Sequence, residues 1–134
     1  GNFSLAIAQQ VKQVVAVEGL KEMAQQLSYN AKRNGLTNVA AFSGDLEQPE
    51  TAQFWHDFKV NKVLLDPARA GAKQAITQVA KLSPSTVVYV SCNPATLARD
   101  AREMKQAGYR LTKLALVDMF AHTEHIETMA LFER

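Results

Sequence analysis

The most reactive side chain in the sequence is its single cysteine, Cys92, within the segment Ser91-Cys92-Asn93-Pro94. It ends the β-branched run TVVYVS, which predicts a buried strand, and Pro94 can occupy the first turn of a following helix. A helix N-terminus stabilises a thiolate relative to a thiol, and the thiolate is the nucleophilic form. The position therefore favours a nucleophile over the alternative, a buried structural cysteine.

A second segment with chemical potential is Asp66-Pro67-Ala68-Arg69-Ala70-Gly71, which follows the apolar run KVLL. The proline stiffens the exit from the predicted strand. Arg69 can bind a phosphate or a base edge with a planar set of donors that lysine lacks. The alternative is a tight turn that carries a surface arginine.

Carboxylates also end or follow two earlier strand-like runs. Glu18 ends VVAVE, where a carboxylate can accept hydrogen bonds from both hydroxyls of a ribose, and a solvated acid is the alternative. Asp45 can accept from an adenine amino group or cap the next helix, and the cap is the better interpretation of this residue alone. Gly1-Asn2-Phe3 look like the end of a glycine-rich loop that opens a helix, a place for a carboxylate or phosphate group.

Two histidines and two acids lie between His122 and Glu127. A metal site is the less favoured interpretation, because the H-x-x-H spacing falls in a predicted loop without a cysteine and His56 completes no zinc-type cluster. A carboxylate delivered into a cleft as a general base fits the segment better. A solvated loop without a chemical role is the alternative.

These candidates must be positioned by helix-like and strand-like segments that alternate along the chain. Strands are predicted at 14–18, 38–42, 62–66, 86–91, 111–118 and 127–133, and helices at 4–13, 20–34, 48–58, 72–82 and 94–107. Buried strands alternating with helices predict a parallel sheet covered on both faces, and the last two strands, with no helix between them, should pair antiparallel. Ligands bind such a sheet at the carboxyl ends of its strands, where the candidate residues fall.

The chain has 134 residues, the size of one domain, and its 47% hydrophobic and 21% charged residues suffice for a buried core. No apolar run approaches the roughly 18 residues that a membrane span needs, and the first residues lack the features of a signal peptide. A single cysteine forms no internal disulfide, so a reducing cytoplasm is expected. The net charge of +2, with scattered Lys and Arg, is only a weak indication of a polyanionic partner.

The motifs GNFSLAIA, VVAVE, LLDPARAGA, VSCNPATLARD and DMFAHTEHIETMALF occur in this order and cover nearly the whole chain. Together they resemble the RNA uracil-5-methyltransferase family, and the pair LLDPARAG and SCNPATLARD is the most specific part of the match. NPATLARD and DMFxHT are closer to the branch that modifies 23S ribosomal RNA. Ala121 departs from the family pattern, where proline is usual, and should loosen the loop that carries Glu127.

The resemblance implies a Rossmann-like, class I S-adenosylmethionine-dependent methyltransferase fold in a single catalytic domain, residues 1–134. It implies that Cys92 is the nucleophile and Glu127 the base in methyl transfer to carbon-5 of a uridine, through a covalent Cys–uracil adduct and without a metal. The positions that would contact S-adenosylmethionine are Asn2, Glu18, Asp45 and Asp66. The implied partner is RNA, with 23S ribosomal RNA favoured over transfer RNA.

The same resemblance implies a strand and a glycine-rich loop just before GNFSL, lying in the sheet between the strands at 14–18 and 62–66. That first strand is missing from this chain, as are an RNA-binding barrel and the cysteines of an iron–sulfur cluster that relatives carry N-terminally. We therefore expect a fragment that is inactive alone and binds the cofactor weakly or not at all. Its sheet should close the gap or borrow a strand from another copy.

Two functions of other classes also fit the layer architecture. A nicotinamide-dependent oxidoreductase would need a complete G-x-G-x-x-G fingerprint, which the sequence lacks, and it gives Cys92 no role. A non-catalytic RNA-binding module predicts that Cys92→Ala leaves the function intact.

Overall fold

The computed structural model describes residues 1–46, 48, 55, 57–120, 122–123 and 125–134. The chain consists of two compact units, residues 1–58 and residues 59–134, and each unit contains its own sheet. Within the described ranges, no helix is long and apolar enough to cross a membrane.

Unit 1 (residues 1–58) is built on two parallel strands and two helices. Its elements are helix α1 (Asn2–Ala8), strand β1 (Val14–Glu18), helix α2 (Lys21–Arg33) and strand β2 (Val39–Ser43). β1 and β2 pair over their whole length, so that Glu18 lies opposite Ser43 at the carboxyl end. The buried residues of α2 recur every three or four positions, as the apolar stripe of an amphipathic helix requires: Ala24, Leu27 and Ala31.

Unit 2 (residues 59–134) is a four-stranded mixed sheet with two helices. Its elements are β3 (Lys62–Leu65), α3 (Lys73–Leu82), β4 (Thr86–Ser91), α4 (Pro94–Gln106), β5 (Arg110–Val117) and β6 (Glu127–Glu133). The strand order is β3-β4-β6-β5. β3 and β4 are parallel, as expected for strands joined through a helix, whereas β6 pairs antiparallel with both β4 and β5.

The core of unit 2 contains three large aromatic side chains, Tyr89, Tyr109 and Phe132. Both buried tyrosines have hydrogen-bond partners, as burial of a hydroxyl requires; that of Tyr109 is the carbonyl oxygen of Pro84, at 2.8 Å. β5 lies at the edge of the sheet, and all its residues except Val117 are exposed.

The predicted strands at 14–18, 86–91 and 127–133 are confirmed at both ends. The ends of the other three strands, and of the helices predicted at 20–34, 72–82 and 94–107, agree within one residue. The first helix is shorter than predicted and ends at Ala8 instead of Gln13. The reason is Asn38, whose side-chain amide donates to the carbonyl oxygens of Ala8 and Val11 at 2.8 and 2.9 Å and holds the chain in a turn before β1. The predicted helix at 48–58 lies largely outside the described residues.

The sheet differs from the single sheet that the sequence predicted. The strands form two sheets, because β1 pairs only with β2 and β3 pairs only with β4 among the described residues. The expectation that the sheet closes its gap within one chain is therefore wrong: among the described residues, β1 and β3 each pair along one edge only. Strand exchange with another copy stays a prediction, as does the assignment of residues 1–134 to a single domain.

Candidate active site

The carboxyl edge of the unit 2 sheet brings together three of the predicted site residues. Asp66 follows β3 and Cys92 follows β4, and the two strands are parallel, so both residues lie at the same edge. Glu127 begins β6, which runs antiparallel to β4 with Thr128 opposite Ser91. The ladder ends at this pair, and Glu127 and Cys92 are the residues that adjoin it in the two segments. The predicted nucleophile and base therefore reach one edge from strands that are neighbours in the sheet.

The turn around Cys92 is held by its neighbours on both sides. Ser91 is buried, and its Oγ accepts from the backbone N–H of Asn93 at 3.1 Å and lies 3.0 Å from the Asn93 carbonyl oxygen. Helix α4 then begins at Pro94, as predicted, with Asn93 as the N-cap residue, whose Oδ1 accepts from the backbone N–H of Ala95 at 3.1 Å. The thiol of Cys92 is free and half-buried, so it is not sealed in the core.

Helix α4 also holds the segment 66–72, which contains Asp66 and Arg69. The side-chain amide of Asn93 donates to the carbonyl oxygen of Arg69 at 3.2 Å. The hydroxyl of Thr96 lies 3.2 Å from the same oxygen and 3.0 Å from the carbonyl oxygen of Asn93. One turn further along, Arg99 Nη2 donates to the carbonyl oxygen of Ala70 at 2.8 Å. These bonds end on the backbone of the segment, and the side chain of Arg69 is exposed.

Asp100, a buried residue of α4, makes a further hydrogen bond to the segment 66–72. Its side chain is 0% exposed, and its Oδ2 accepts from the backbone N–H of Ala72 and from the hydroxyl of Tyr89, both at 2.6 Å. Arg99 Nε donates to its Oδ1 at 2.8 Å. A buried carboxylate needs such a full set of donors. Burial, followed by the bond to Asp100, raises the pKa of Tyr89, which therefore stays protonated and donates.

Asn93, Thr96, Arg99 and Asp100 are called the α4 clamp below. Sequence reasoning missed this set of residues. One signal was available, because Asp100 follows Leu97 by three positions and precedes Met104 by four, which puts an acid on the buried stripe of the helix. An acid at such a position is buried only when it is paired.

The clamp leaves no room for a side chain at Gly71. Its φ is +86°, a conformation that L-residues rarely adopt, and an added Cβ would lie 2.5 Å from Asp100 Oδ2 and in contact with Arg99. The glycine of DPARAG therefore permits the close approach of α4.

Unit 1 brings the other predicted cofactor residues to the carboxyl edge of its own sheet. Glu18 ends β1, and its Oε1 accepts from the backbone nitrogen of Gly1 at 2.7 Å, which places the start of α1 beside it. Asn2 is the exposed first residue of α1. Asp45 is exposed just after β2, and its Oδ2 accepts from Gln48 Nε2 at 3.1 Å. Whether Asp45 caps a helix stays open, since most of residues 47–56 lie outside the described ranges.

The segment before Glu127 is exposed where it is described. His122 and His125 are exposed, and the ring of His125 meets the edge of Phe120 with centroids 6.2 Å apart. Ala121, Glu124 and His56 lie outside the described residues. Among the residues that are described, no three His, Cys, Asp or Glu side chains form a group that could hold a metal ion.

Solved structures identify the class to which this fold belongs. The structure of Pyrococcus abyssi tRNA (uracil-54, C5)-methyltransferase in complex with S-adenosyl-L-homocysteine matches with a TM-score of 0.81 and 26% identity, covering 98% of this chain and 31% of that chain. M. jannaschii TYW2 in complex with AdoMet matches with a TM-score of 0.70 over 100% of this chain and 64% of that chain; at 18% identity it shows the fold alone. The chain has the Rossmann-like fold of S-adenosylmethionine-dependent methyltransferases, as predicted.

Within this class, the chain belongs to the tRNA (Uracil-5-)-methyltransferase family, whose model matches residues 1–134. It is 58% identical over 134 residues to the 23S rRNA (uracil(1939)-C(5))-methyltransferase RlmD of Aliivibrio salmonicida, covering 100% of this chain and 31% of that protein. The protein of the same name from Vibrio parahaemolyticus is 54% identical, with 100% and 30% covered. The resemblance stated from the motifs is confirmed, and the chain spans about a third of the length of these curated relatives.

Proposed function

We propose that the polypeptide carrying this chain transfers a methyl group from S-adenosylmethionine to carbon-5 of a uridine in 23S ribosomal RNA, in the cytoplasm. Cys92 is the nucleophile and Glu127 the base. The observation that supports the proposal is the register of β4 and β6, whose last pair, Ser91 and Thr128, adjoins Cys92 and Glu127 at the edge where ligands bind this kind of sheet. The names of the relatives support the substrate.

The chemistry needs a nucleophile because carbon-5 of uracil does not attack a methyl donor unaided. The thiolate of Cys92 adds to carbon-6, the ring electrons move to the carbonyl oxygen as an enolate, and carbon-5 becomes nucleophilic. Carbon-5 forms a bond to the electrophilic methyl group that S-adenosylmethionine would supply. The bond from that methyl group to the sulfonium sulfur breaks, and S-adenosylhomocysteine is the leaving group. Cys92 is free and half-buried, which supports this role, since a nucleophile must not be sealed in the core.

The reaction ends only when the proton on carbon-5 has been removed. Glu127 takes this proton, the electrons re-form the double bond between carbon-5 and carbon-6, and the sulfur of Cys92 leaves. Base and nucleophile act on adjacent ring atoms, so they must lie at the same edge of the sheet. The target uridine must leave its stack, because carbon-6 is inaccessible inside a helix.

The residues proposed to hold the cofactor provide suitable donors and acceptors. Glu18 offers a carboxylate for the ribose hydroxyls at the carboxyl end of β1. Asp45 offers an acceptor for the adenine amino group. Asn2 and Asp66 offer further polar contacts at the edges of their respective sheets.

The decisive experiment traps the covalent intermediate in the full-length protein. With RNA that contains 5-fluorouridine, fluorine replaces the proton that Glu127 removes, so the Cys92 adduct persists and migrates as a protein–RNA complex in denaturing gels. Cys92→Ala should abolish both the complex and methyl transfer. An oxidoreductase or a non-catalytic RNA-binding module would give no such complex with the wild-type protein, and complex formation by Cys92→Ala would overturn the assignment of the nucleophile.

Glu127 is tested with unmodified RNA. Glu127→Gln should still allow methyl transfer but stall the release of Cys92, so a covalent complex accumulates and turnover is lost. Glu133→Gln is the matched control, because it removes a carboxylate at the far end of the same strand and should behave as the wild type. Full turnover by Glu127→Gln would contradict the assignment.

Two parts of the proposal concern the range of the activity. Transfer RNA is the second candidate substrate, and competition between 23S and transfer RNA transcripts for the full-length protein would decide between them.

Residues 1–134 alone are expected to be inactive and to bind S-adenosylmethionine weakly or not at all, because the resemblance implies a strand and a glycine-rich loop ahead of Asn2. Isothermal titration tests this, and a low-micromolar dissociation constant would contradict it.

A further inference from the structure

We propose that Asn93 and Asp100 are positioning residues that hold the segment 66–72 in register with Cys92 during methyl transfer. The inference rests on the proposed function, because it concerns the geometry of that same site. Neither residue touches the reacting atoms in this scheme. Both act through the backbone that carries Asp66 and Arg69.

Asn93 connects the turn of Cys92 directly to the segment 66–72. The two polar atoms of its side-chain amide make different hydrogen bonds. Oδ1 accepts from the backbone N–H of Ala95 and caps α4, and Nδ2 donates to the carbonyl oxygen of Arg69. Any movement of Arg69 relative to Cys92 must therefore break or bend a bond to the residue next to the nucleophile.

Asp100 anchors the far end of the same segment. Its carboxylate accepts from the N–H of Ala72, where α3 is about to begin, and from the hydroxyl of Tyr89 on β4. A strand, a turn and a helix thus meet at one buried charge. The carboxylate is fully buried, so these bonds are not screened by water.

The bonds end on backbone atoms, namely the carbonyl oxygens of Arg69 and Ala70 and the N–H of Ala72. The side chain of Arg69 is exposed. This arrangement suits a segment whose side chains contact a ligand while its main chain is held still.

The test separates this role from helix capping. Serine caps helices about as well as asparagine and is neutral, but it has no amide to reach Arg69. In the full-length protein, Asn93→Ser should therefore keep the cap of α4, and its melting temperature should fall only by the small amount expected for the lost hydrogen bond to Arg69. We expect kcat for methyl transfer to fall by about 10²-fold, the loss typical of a small misplacement, with KM for S-adenosylmethionine changed much less.

Asp100→Asn is the second variant, and Glu103→Gln is the control. Glu103 lies on the same helix, its carboxylate is 3.8 Å from Lys73 Nζ, and its side chain makes no hydrogen bond to the segment 66–72 among the described residues. Hydrogen exchange provides a readout that does not depend on activity. The amide of Ala72 and its neighbours should exchange faster in Asn93→Ser and in Asp100→Asn, and at the wild-type rate in Glu103→Gln.

The outcomes separate this inference from the proposed function. If Cys92→Ala abolishes methyl transfer but Asn93→Ser retains the wild-type kcat, the inference is overturned and the proposed function stands. Unchanged exchange of the segment 66–72 in both variants also overturns it. If the wild-type protein transfers no methyl group or Cys92→Ala remains active, both fall together.

Discussion

Unit 2 holds its two candidate catalytic residues in different ways. On the Cys92 side, the α4 clamp makes hydrogen bonds between residues 24 to 29 positions apart in the sequence. On the Glu127 side, the hydrogen bonds within the described part of segment 118–126 are local: the hydroxyl of Thr123 donates to the carbonyl oxygen of Phe120 at 2.8 Å and accepts from the N–H of His125 at 3.2 Å. Cys92 therefore lies beside a network of long-range hydrogen bonds, whereas Glu127 follows a segment whose described hydrogen bonds are local.

The difference shows which part of the structure positions each group. The surroundings of Cys92 are set by side chains that a folded unit 2 already holds in place. Glu127 is positioned by the β6 ladder, where Val117 lies opposite it on β5, and not by the loop before it. Met119 is 60% exposed in that loop, which has little apolar burial to stabilise it.

The largest expected effect is loss of the buried carboxylate of the clamp. Asp100→Ala leaves the Tyr89 hydroxyl and the Ala72 N–H buried without an acceptor, and it should lower the free energy of unfolding by about 4 kcal/mol. Urea denaturation followed by circular dichroism measures this loss. A loss below about 1 kcal/mol would show that the α4 clamp contributes no more to the free energy of unfolding than the hydrogen bonds of segment 118–126 do.

Gly71→Ala should cost about 3 kcal/mol, since a left-handed φ and contact with Asp100 and Arg99 act together. The matched control is Gly108→Ala in the same unit. Gly108 has a φ of +90°, but an added Cβ there meets only the flexible end of Arg134, at 3.4 Å. This control should lose only about 1 kcal/mol. Equal losses would indicate that backbone conformation, and not the closeness of α4, requires a glycine at 71.

Tyr89→Phe should cost about 1 to 2 kcal/mol at pH 7, because one donor to Asp100 disappears while the others remain. Burial, then Asp100, raises the pKa of Tyr89 in the folded state above its ordinary value of 10.0. Its contribution is therefore complete below pH 10 and is lost as the pH rises above 10.

The free energy of unfolding measured at pH 8 and pH 11 tests the pH dependence. The wild type should lose more stability over this interval than Tyr89→Phe does. Identical losses in the two proteins would contradict a contribution of Tyr89. Tyr29→Phe, which removes an exposed hydroxyl in unit 1, should leave the stability at pH 7 unchanged.

The smallest effects compare the same substitution on the two sides. Thr96→Ala removes a hydroxyl that lies 3.2 Å from the Arg69 carbonyl oxygen and should cost about 1 kcal/mol. Thr123→Ala removes an exposed hydroxyl with local partners only, and it should cost less than about 0.5 kcal/mol. Thermal denaturation of the two variants measures both stability losses. A larger loss for Thr123→Ala than for Thr96→Ala would contradict the comparison between the α4 clamp and segment 118–126.

Much of the fold could be predicted from the sequence, since hydrophobic periodicity and the residues that begin or end helices and strands are local signals. The β-branched run at 86–91 predicted β4 at both ends, and Pro94 predicted the start of α4. The two separate sheets could not be predicted. Strand pairing joins residues far apart in the chain, and no local pattern states which neighbour β1 or β3 will have.

The candidate site was only partly predictable for the same reason. Cys92 stood out as the only cysteine, and strand ends singled out Asp66. In the sequence, Asp100 follows Arg99 in a helix with many polar residues, and this pattern alone indicates an ordinary surface acid. Its role becomes visible only when Ala72 and Tyr89, 28 and 11 positions away, are placed against it.

The pairing of Thr128 with Ser91 has a consequence for how homologous sequences can diverge. Insertions or deletions confined to 118–126 leave the approach of Glu127 to Cys92 intact, because the length of a hairpin connection does not determine which residues of β4 and β6 face each other. A single residue inserted between Glu127 and Thr128 would displace the carboxylate by one position and turn it to the other face of the sheet. Active homologues should therefore vary in length before Glu127 and hardly at all between Glu127 and Glu133.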